Sequence, residues 1–130
     1  MTAHTAVSGE HHATMLDALT ENCFDSVMIT KAEPHNPIIY VNKAFTDLTG
    51  YAVSEVVGKS PSFLQGAQTD PTTLRRLQED MAAKRVFEGK AVNYRKDGSA
   101  LTMWWRVIPV IGDSGQPMYF VAFQREGHSP

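Results

Sequence analysis

Two long runs of alternating apolar and polar residues, Val86–Arg95 and Ser99–Val110, are joined by Lys96-Asp97-Gly98. Alternation with period two marks a strand with one buried face. Asp-Gly is a strong hairpin signal, because glycine supplies a positive φ without steric cost. Gly112-Asp113-Ser114-Gly115 then turns the chain into Pro117–Gln124. The chain therefore closes with three antiparallel strands, and the elements before them have a sheet face to cover.

Those elements separate cleanly. Met15, Leu16 and Leu19 share one face of a helical segment, Ala13–Thr20. Asp25 and Ser26 punctuate, and Val27–Thr30 and Pro37–Val41 read as two short strands of a hairpin across a turn rich in charge, Pro and Asn. Asn42 caps a short helix, Lys43–Thr49, that stops at Gly50. Val53–Val57 is a further short apolar piece. Asp70-Pro71 opens a longer helix to about Ala83, with Leu74, Leu77 and Met81 as its buried stripe. Strands segregated from helices predict an α+β fold: one five-stranded antiparallel sheet with helices on one face and an N-terminal flanking helix.

At 130 residues the chain suits one domain. We expect a flexible tail at 1–11, a flanking helix at 12–22 and the folded domain at 23–127. Hydrophobic residues at 42% and charged residues at 20% are a globular balance. Lys and Arg number 12 against 14 Asp and Glu, and a net charge of −2 gives no electrostatic reason to bind nucleic acid or acidic membranes. No apolar run approaches the ~20 residues of a membrane span, and no secretory signal pattern is present. With one cysteine, Cys23, no internal disulfide can form. The expectation is a cytoplasmic protein. Cys23 reads as a small hydrophobe rather than a functional thiol. No Cys/His pair has metal-ligand spacing. No nucleophile–base order, phosphate loop or distinctive carboxylate pair nominates a catalytic residue, so no enzyme activity is expected of the chain itself.

Four stretches carry a family resemblance: Tyr40-Val-Asn-Lys-Ala-Phe-Thr-Asp-Leu-Thr-Gly-Tyr51, Gly58-Lys-Ser-Pro-Ser-Phe-Leu-Gln-Gly66, Asn93-Tyr-Arg-Lys-Asp-Gly98 and Tyr119-Phe-Val-Ala-Phe-Gln124. In this order they resemble a PAS domain over about residues 24–126, and within that family the light-oxygen-voltage (LOV) subfamily. The LOV loop reads Gly-x-Asn-Cys-Arg-Phe-Leu-Gln-Gly. Here Ser60, Pro61 and Ser62 stand in place of Asn, Cys and Arg, so the thiol that forms a flavin adduct is absent.

The resemblance implies a sensor that binds a flavin, FMN or FAD, noncovalently and relays redox or residual light signals. It implies cofactor-binding roles for Asn93, Gln124, Gln65, Ser60, Met103, Phe63 and Ala122. Asn93 would bond the ring edge, Gln124 would sit beside the flavin N5, Ala122 would leave space, and Gln65 would reach the sugar-alcohol chain. Met103 replaces a second ring-binding Asn. The two phosphate-binding arginines of the subfamily fall at Ser62 and Gln78, and each lost charge-assisted bond is worth about 1.5–3 kcal/mol. Arg75 and Arg76 are the nearby alternatives. Residues 70–95 contain no histidine, which excludes the haem-binding PAS pattern. A flavin, a different small ligand and an empty hollow are all open on this reading.

The resemblance implies that Met103 faces inward, and alternation then puts Leu101, Trp105 and Val107 on the same inner face, with Gln124, Ala122, Phe120 and Met118 inward on the next strand. Trp105 could fill the hollow. Trp104, Ile108, Val121 and Phe123 fall on the outer face, which is too apolar to face water alone. Its expected cover is the Met15-Leu16-Leu19 helix, a second subunit, or both. A homodimer through this face and the N-terminal helix, acting on an unknown effector protein or domain, is the expected output. A ligand-free PAS dimerisation module is the alternative function.

Overall fold

A computed structural model describes residues 9–127, with side chains from residue 11 onward. The elements are α1 (Gly9–Glu21), β1 (Ser26–Lys31), β2 (Ile38–Val41), α2 (Lys43–Thr49), α3 (Val53–Val56), a single 3-10 turn (Pro61–Leu64), α4 (Pro71–Ala82), β3 (Phe87–Tyr94), β4 (Ala100–Ile111) and β5 (Pro117–Glu126). The strands form one sheet in the order β2-β1-β5-β4-β3, with every neighbouring pair antiparallel. This is the expected α+β architecture. The last strand of the chain, β5, lies at the centre of the sheet, paired with β1 on one side and β4 on the other.

β1 is buried from Ser26 to Thr30 without alternation. An interior strand buried on both faces has no exposed side to alternate with, and its polar members, Ser26 and Thr30, are buried too. β4 alternates as expected, with Leu101, Met103 and Val107 buried. Pro109 is tolerated within it because the pairing of β3 with β4 ends at Phe87 opposite Val107, so Pro109 has a partner strand on one side only.

The core lies between the sheet and the helices, around Phe45, Val56, Ile38, Phe87, Leu64 and Phe120. Asn42, fully buried, is its polar hub. Its Oδ1 accepts from Phe45 N–H at 3.1 Å, the expected helix cap, and from Val27 N–H at 2.8 Å. Its Nδ2 donates to the carbonyls of Thr20 at 2.7 Å and Asp25 at 3.1 Å. One amide thus joins α1, β1 and α2.

α1 departs from expectation in two ways. It begins at Gly9, inside the segment expected to be a tail; residues 1–8 lie outside the described residues. It also does not bury its apolar stripe: every residue from His11 to Leu19 is exposed, Leu19 to 69%. Bonds from Thr20 and Glu21 tie its C-terminal end to the body. Thr20 Oγ1 meets Tyr40 Oη, and Glu21 Oε1 accepts from Lys43 N–H at 2.9 Å. Trp104 on the outer face is 42% exposed.

Candidate functional site

A cavity of about 400 Å³ lies between the inner sheet face, α4, the loop from Ser60 to Gln65, and the β1–β2 turn. Its volume is in the usual range for small-molecule sites, about 300–1,000 Å³. The apolar walls are Val107, Phe120 and Ala122 from the sheet and Leu74, Leu77 and Met81 from α4. The α4 stripe is only half-buried because it faces this hollow rather than solid core. Trp105 forms part of the wall and leans on Phe87, ring centroids 5.3 Å apart, so it lines the hollow without filling it.

Asn93 and Gln124 converge on the cavity, 6% and 4% exposed. Ser26 Oγ donates to Gln124 Oε1 at 3.0 Å, directly across the β1–β5 register. That bond leaves the two N–H donors of Gln124 for the cavity. The Asn93 carboxamide has no hydrogen-bond partner among the described residues. No sealed side-chain N or O among those residues lacks a partner, so the Asn93 amide opens onto the cavity rather than into the core. A ligand edge with a donor and an acceptor could pair with both ends of this amide.

The outer end of the cavity is neutral and hydrogen-bonding. Ser62, Gln65 and Gln78 are exposed there, with Ser60 and Asn36 half-buried beside them. None of the lining residues is Lys, Arg, Asp or Glu, and His35 is the one imidazole. The two nearby arginines do not compensate. Arg76 Nη2 donates to Glu88 O at 2.8 Å and its guanidinium lies 5.1 Å from the Phe87 ring centre. Gly89 makes room for this, since a Cβ there would stand 2.4 Å from the same Nη2. Arg75 is exposed and outside the lining.

The loop is held by local bonds. Gly58 N–H donates to Ile38 O at 2.8 Å and Ile38 N–H to Lys59 O at 2.9 Å, fixing its base to β2. Ser60 Oγ accepts from Ser62 N–H at 3.4 Å and caps the 3-10 turn. Thr69 Oγ1 donates to Val92 O at 2.6 Å and accepts from Gly66 N–H at 2.9 Å. Gln68 N–H donates to Tyr94 Oη at 3.0 Å. A Cβ on Gly66 would meet the Tyr94 ring at 2.4 Å, so this close approach requires glycine.

Of the seven residues expected at the site, Asn93, Gln124, Gln65, Ser60 and Ala122 line the cavity. Met103 and Phe63 do not. Met103 is on the inner face but 0% exposed; a flexible thioether packs out the space around it instead of framing a void. Phe63 turns to Tyr51, edge to face at 4.8 Å. Ser26, His35 and Asn36 are among the lining or supporting residues that the sequence reading does not nominate. Ser26, read as punctuation, is the buried first residue of β1; counting back by two from Met28 would have turned it inward. His35 and Asn36 reach the cavity from a turn in which both take positive φ, 68° and 45°, and no sequence periodicity reports that. Cys23 is not in the lining.

A twisted five-stranded antiparallel sheet cupping a hollow beneath short helices is the arrangement of the PAS fold, and a family model described as "PAS domain" matches residues 25–126. The chain belongs to the PAS domain family. Among curated relatives, blue-light-activated histidine kinase 1 of Erythrobacter litoralis is 47% identical over 92 residues, 71% of this chain and 26% of the kinase. Phototropin-2 of Oryza sativa subsp. japonica is 36% identical over 110 residues, 85% of this chain and 12% of that protein. The chain thus spans about a quarter or less of the length of these relatives. Among solved structures, a light-oxygen-voltage domain studied with a flavin analogue superposes with a TM-score of 0.83 at 29% identity, covering 93% of this chain and 90% of that one. The chain is a LOV-like PAS domain. Among the described residues no helix is long and apolar enough to cross a membrane.

Proposed function

We propose that this PAS domain is a sensory input module that holds a flavin noncovalently. The Asn93 carboxamide, open to an apolar-walled cavity and without a protein partner among the described residues, carries this reading. A flat heterocycle with apolar faces and one donor–acceptor edge complements such walls and such an amide. When bound, a flavin supplies blue-light absorption and reversible reduction. Pro61 and the position of Cys23 outside the lining make its retention noncovalent.

Asn93 holds the ring edge, and Gln124 reports its protonation. In its resting orientation Gln124 offers N–H donors to the cavity while its Oε1 accepts from Ser26. Once the facing ligand atom carries a proton, the amide must turn to offer Oε1. The Ser26 hydroxyl can donate or accept, so the turn leaves no buried group unpaired. Ser26 is joined through Asp25 to Asn42, and Asn42 holds the end of α1. That chain of bonds supports α1 as the output element.

A homodimer is the second part of this reading, supported by the uncovered apolar surface. The α1 stripe and outer-face Trp104 lie open in a single chain, and Ile108, Val121 and Phe123 beside Trp104 are only half-buried. Surfaces of this kind on both α1 and the sheet favour a symmetric pair. Relatives named as blue-light-activated histidine kinases are several times longer than this chain, and an effector protein or domain for it is proposed by analogy with them. The absorption spectrum of the purified chain supplied with flavin tests the proposal. A flavin absorption band in the blue that stays with the protein through gel filtration is expected. Colourless protein would favour the ligand-free dimerisation module.

A further inference from the structure

The outer end of the cavity raises a question that the flavin reading leaves open: which part of the ligand it recognises. Its lining there is Ser60, Ser62, Gln65, Gln78, Asn36 and His35. Five of these are hydroxyls or carboxamides, groups that both donate and accept. A sugar alcohol presents hydroxyls, which also do both, so each contact can be satisfied in either sense. A phosphate dianion presents acceptors only; these groups can donate to it, but with no Lys or Arg in the lining they offer no charge-assisted bond to repay its desolvation. The cation that would reverse this preference is spent elsewhere: Arg76 is bonded to β3 and stacked on Phe87, in the space left by Gly89.

Resting on the flavin reading, we infer that this site takes its ligand by the ring and the uncharged polyol and has no grip for a terminal phosphate. The ligand class is an isoalloxazine with a neutral tail, such as riboflavin, bound at least as well as its phosphorylated forms. A phosphate held by two guanidinium groups gains roughly a hundred- to ten-thousand-fold in affinity. Here that gain is absent, and raising the salt concentration leaves the affinity for FMN unchanged, since no ion pair is there to be screened.

The test is titration of riboflavin, FMN and FAD into the full chain, followed by quenching of flavin fluorescence. Riboflavin is expected to bind within about fivefold of FMN, or more tightly. FMN or FAD binding more than about fivefold more tightly than riboflavin overturns the inference while leaving the flavin reading intact. His35→Ala and Arg75→Gln then identify the group responsible. No binding of any of the three at millimolar concentration overturns both. The double variant Ser62→Arg/Gln78→Arg changes two exposed positions. It is expected to tighten FMN by about a hundredfold or more with riboflavin little changed. A folded double variant, by circular dichroism, with no gain for FMN would show that the tail does not lie at this rim and would also overturn the inference.

Discussion

Asn93 and Gln124 carry the same functional group on neighbouring parts of one sheet face, yet their surroundings differ. Gln124 is tied by its carbonyl to Ser26 at 3.0 Å, whereas Asn93 has only the cavity before it. The two substitutions should therefore separate binding from response. Asn93→Ala is expected to weaken flavin binding about tenfold, the worth of an ordinary ligand hydrogen bond. Gln124→Leu is expected to leave binding nearly intact and abolish the change in hydrogen exchange at β1 and α1 on chemical reduction. A wild-type response in Gln124→Leu would rule out the amide relay. Away from the cavity, the Glu55 carboxyl is held below its ordinary value of 4.5, first by its hydrogen bond from Lys96 and next by the Ala52 N–H. A depressed carboxyl contributes stability above its unfolded value, and that contribution is lost as the pH falls through the folded value. Lys96→Met should move the Glu55 titration midpoint, followed by carboxyl NMR, up toward 4.5.

Among the elements, α1 and α4 show how a stripe of apolar residues can mean two things. Leu74, Leu77 and Met81 were legible as the inward face of α4, and inward they are, but against a hollow. Met15, Leu16 and Leu19 have the same helical spacing and face outward, because α1 is fastened at its C-terminal end and projects from the body. Spacing tells which residues share a face; it cannot tell what lies opposite. The fastening runs through Asn42, whose role as a helix cap was legible and whose three other bonds were not, since they reach residues 15 to 22 positions away. Asn42→Ala removes the cap and leaves one buried N–H and two carbonyls to find other partners. We expect a loss of about 2–4 kcal/mol, a fall on the order of 10 °C in Tm, read by thermal circular dichroism. Asn42→Asp keeps the acceptor and loses the two donor bonds, so it should fall between the two. A melt of Asn42→Ala unchanged from wild type would remove the hub.

Across the whole molecule, the sheet separates two surfaces of different purpose. The inner face holds a cavity closed by α4 and the Ser60–Gln65 loop, and the outer face presents Trp104 beneath Lys90, whose Nζ lies 5.0 Å from the indole ring centre. In the proposed dimer this face and α1 are buried together. Trp104→Arg and Leu19→Glu are each expected to convert the dimer to monomer in light-scattering measurements at micromolar concentration, at little cost to the fold, since both positions are exposed in the single chain. A dimer unaffected by both would place its interface elsewhere. A monomeric wild type would leave the apolar surface to the effector.

Local chemistry determined most of the architecture. The Asp97-Gly98 turn, the alternation of β3 to β5, the Asp70-Pro71 helix start and the Asn42 cap each depend on residues close in sequence, so they are written directly into it. The inner positions of Asn93, Ala122 and Gln124 follow from the same alternation. What tertiary structure alone decided depends on residues far apart: the pairing of β1 with β5 that sets Ser26 against Gln124, the commitment of Arg76 to the β3 backbone, and the arrival of His35 and Asn36 at the cavity. The size of the hollow belongs with these, because it is what remains when distant elements have packed, and no single stretch of chain encodes it.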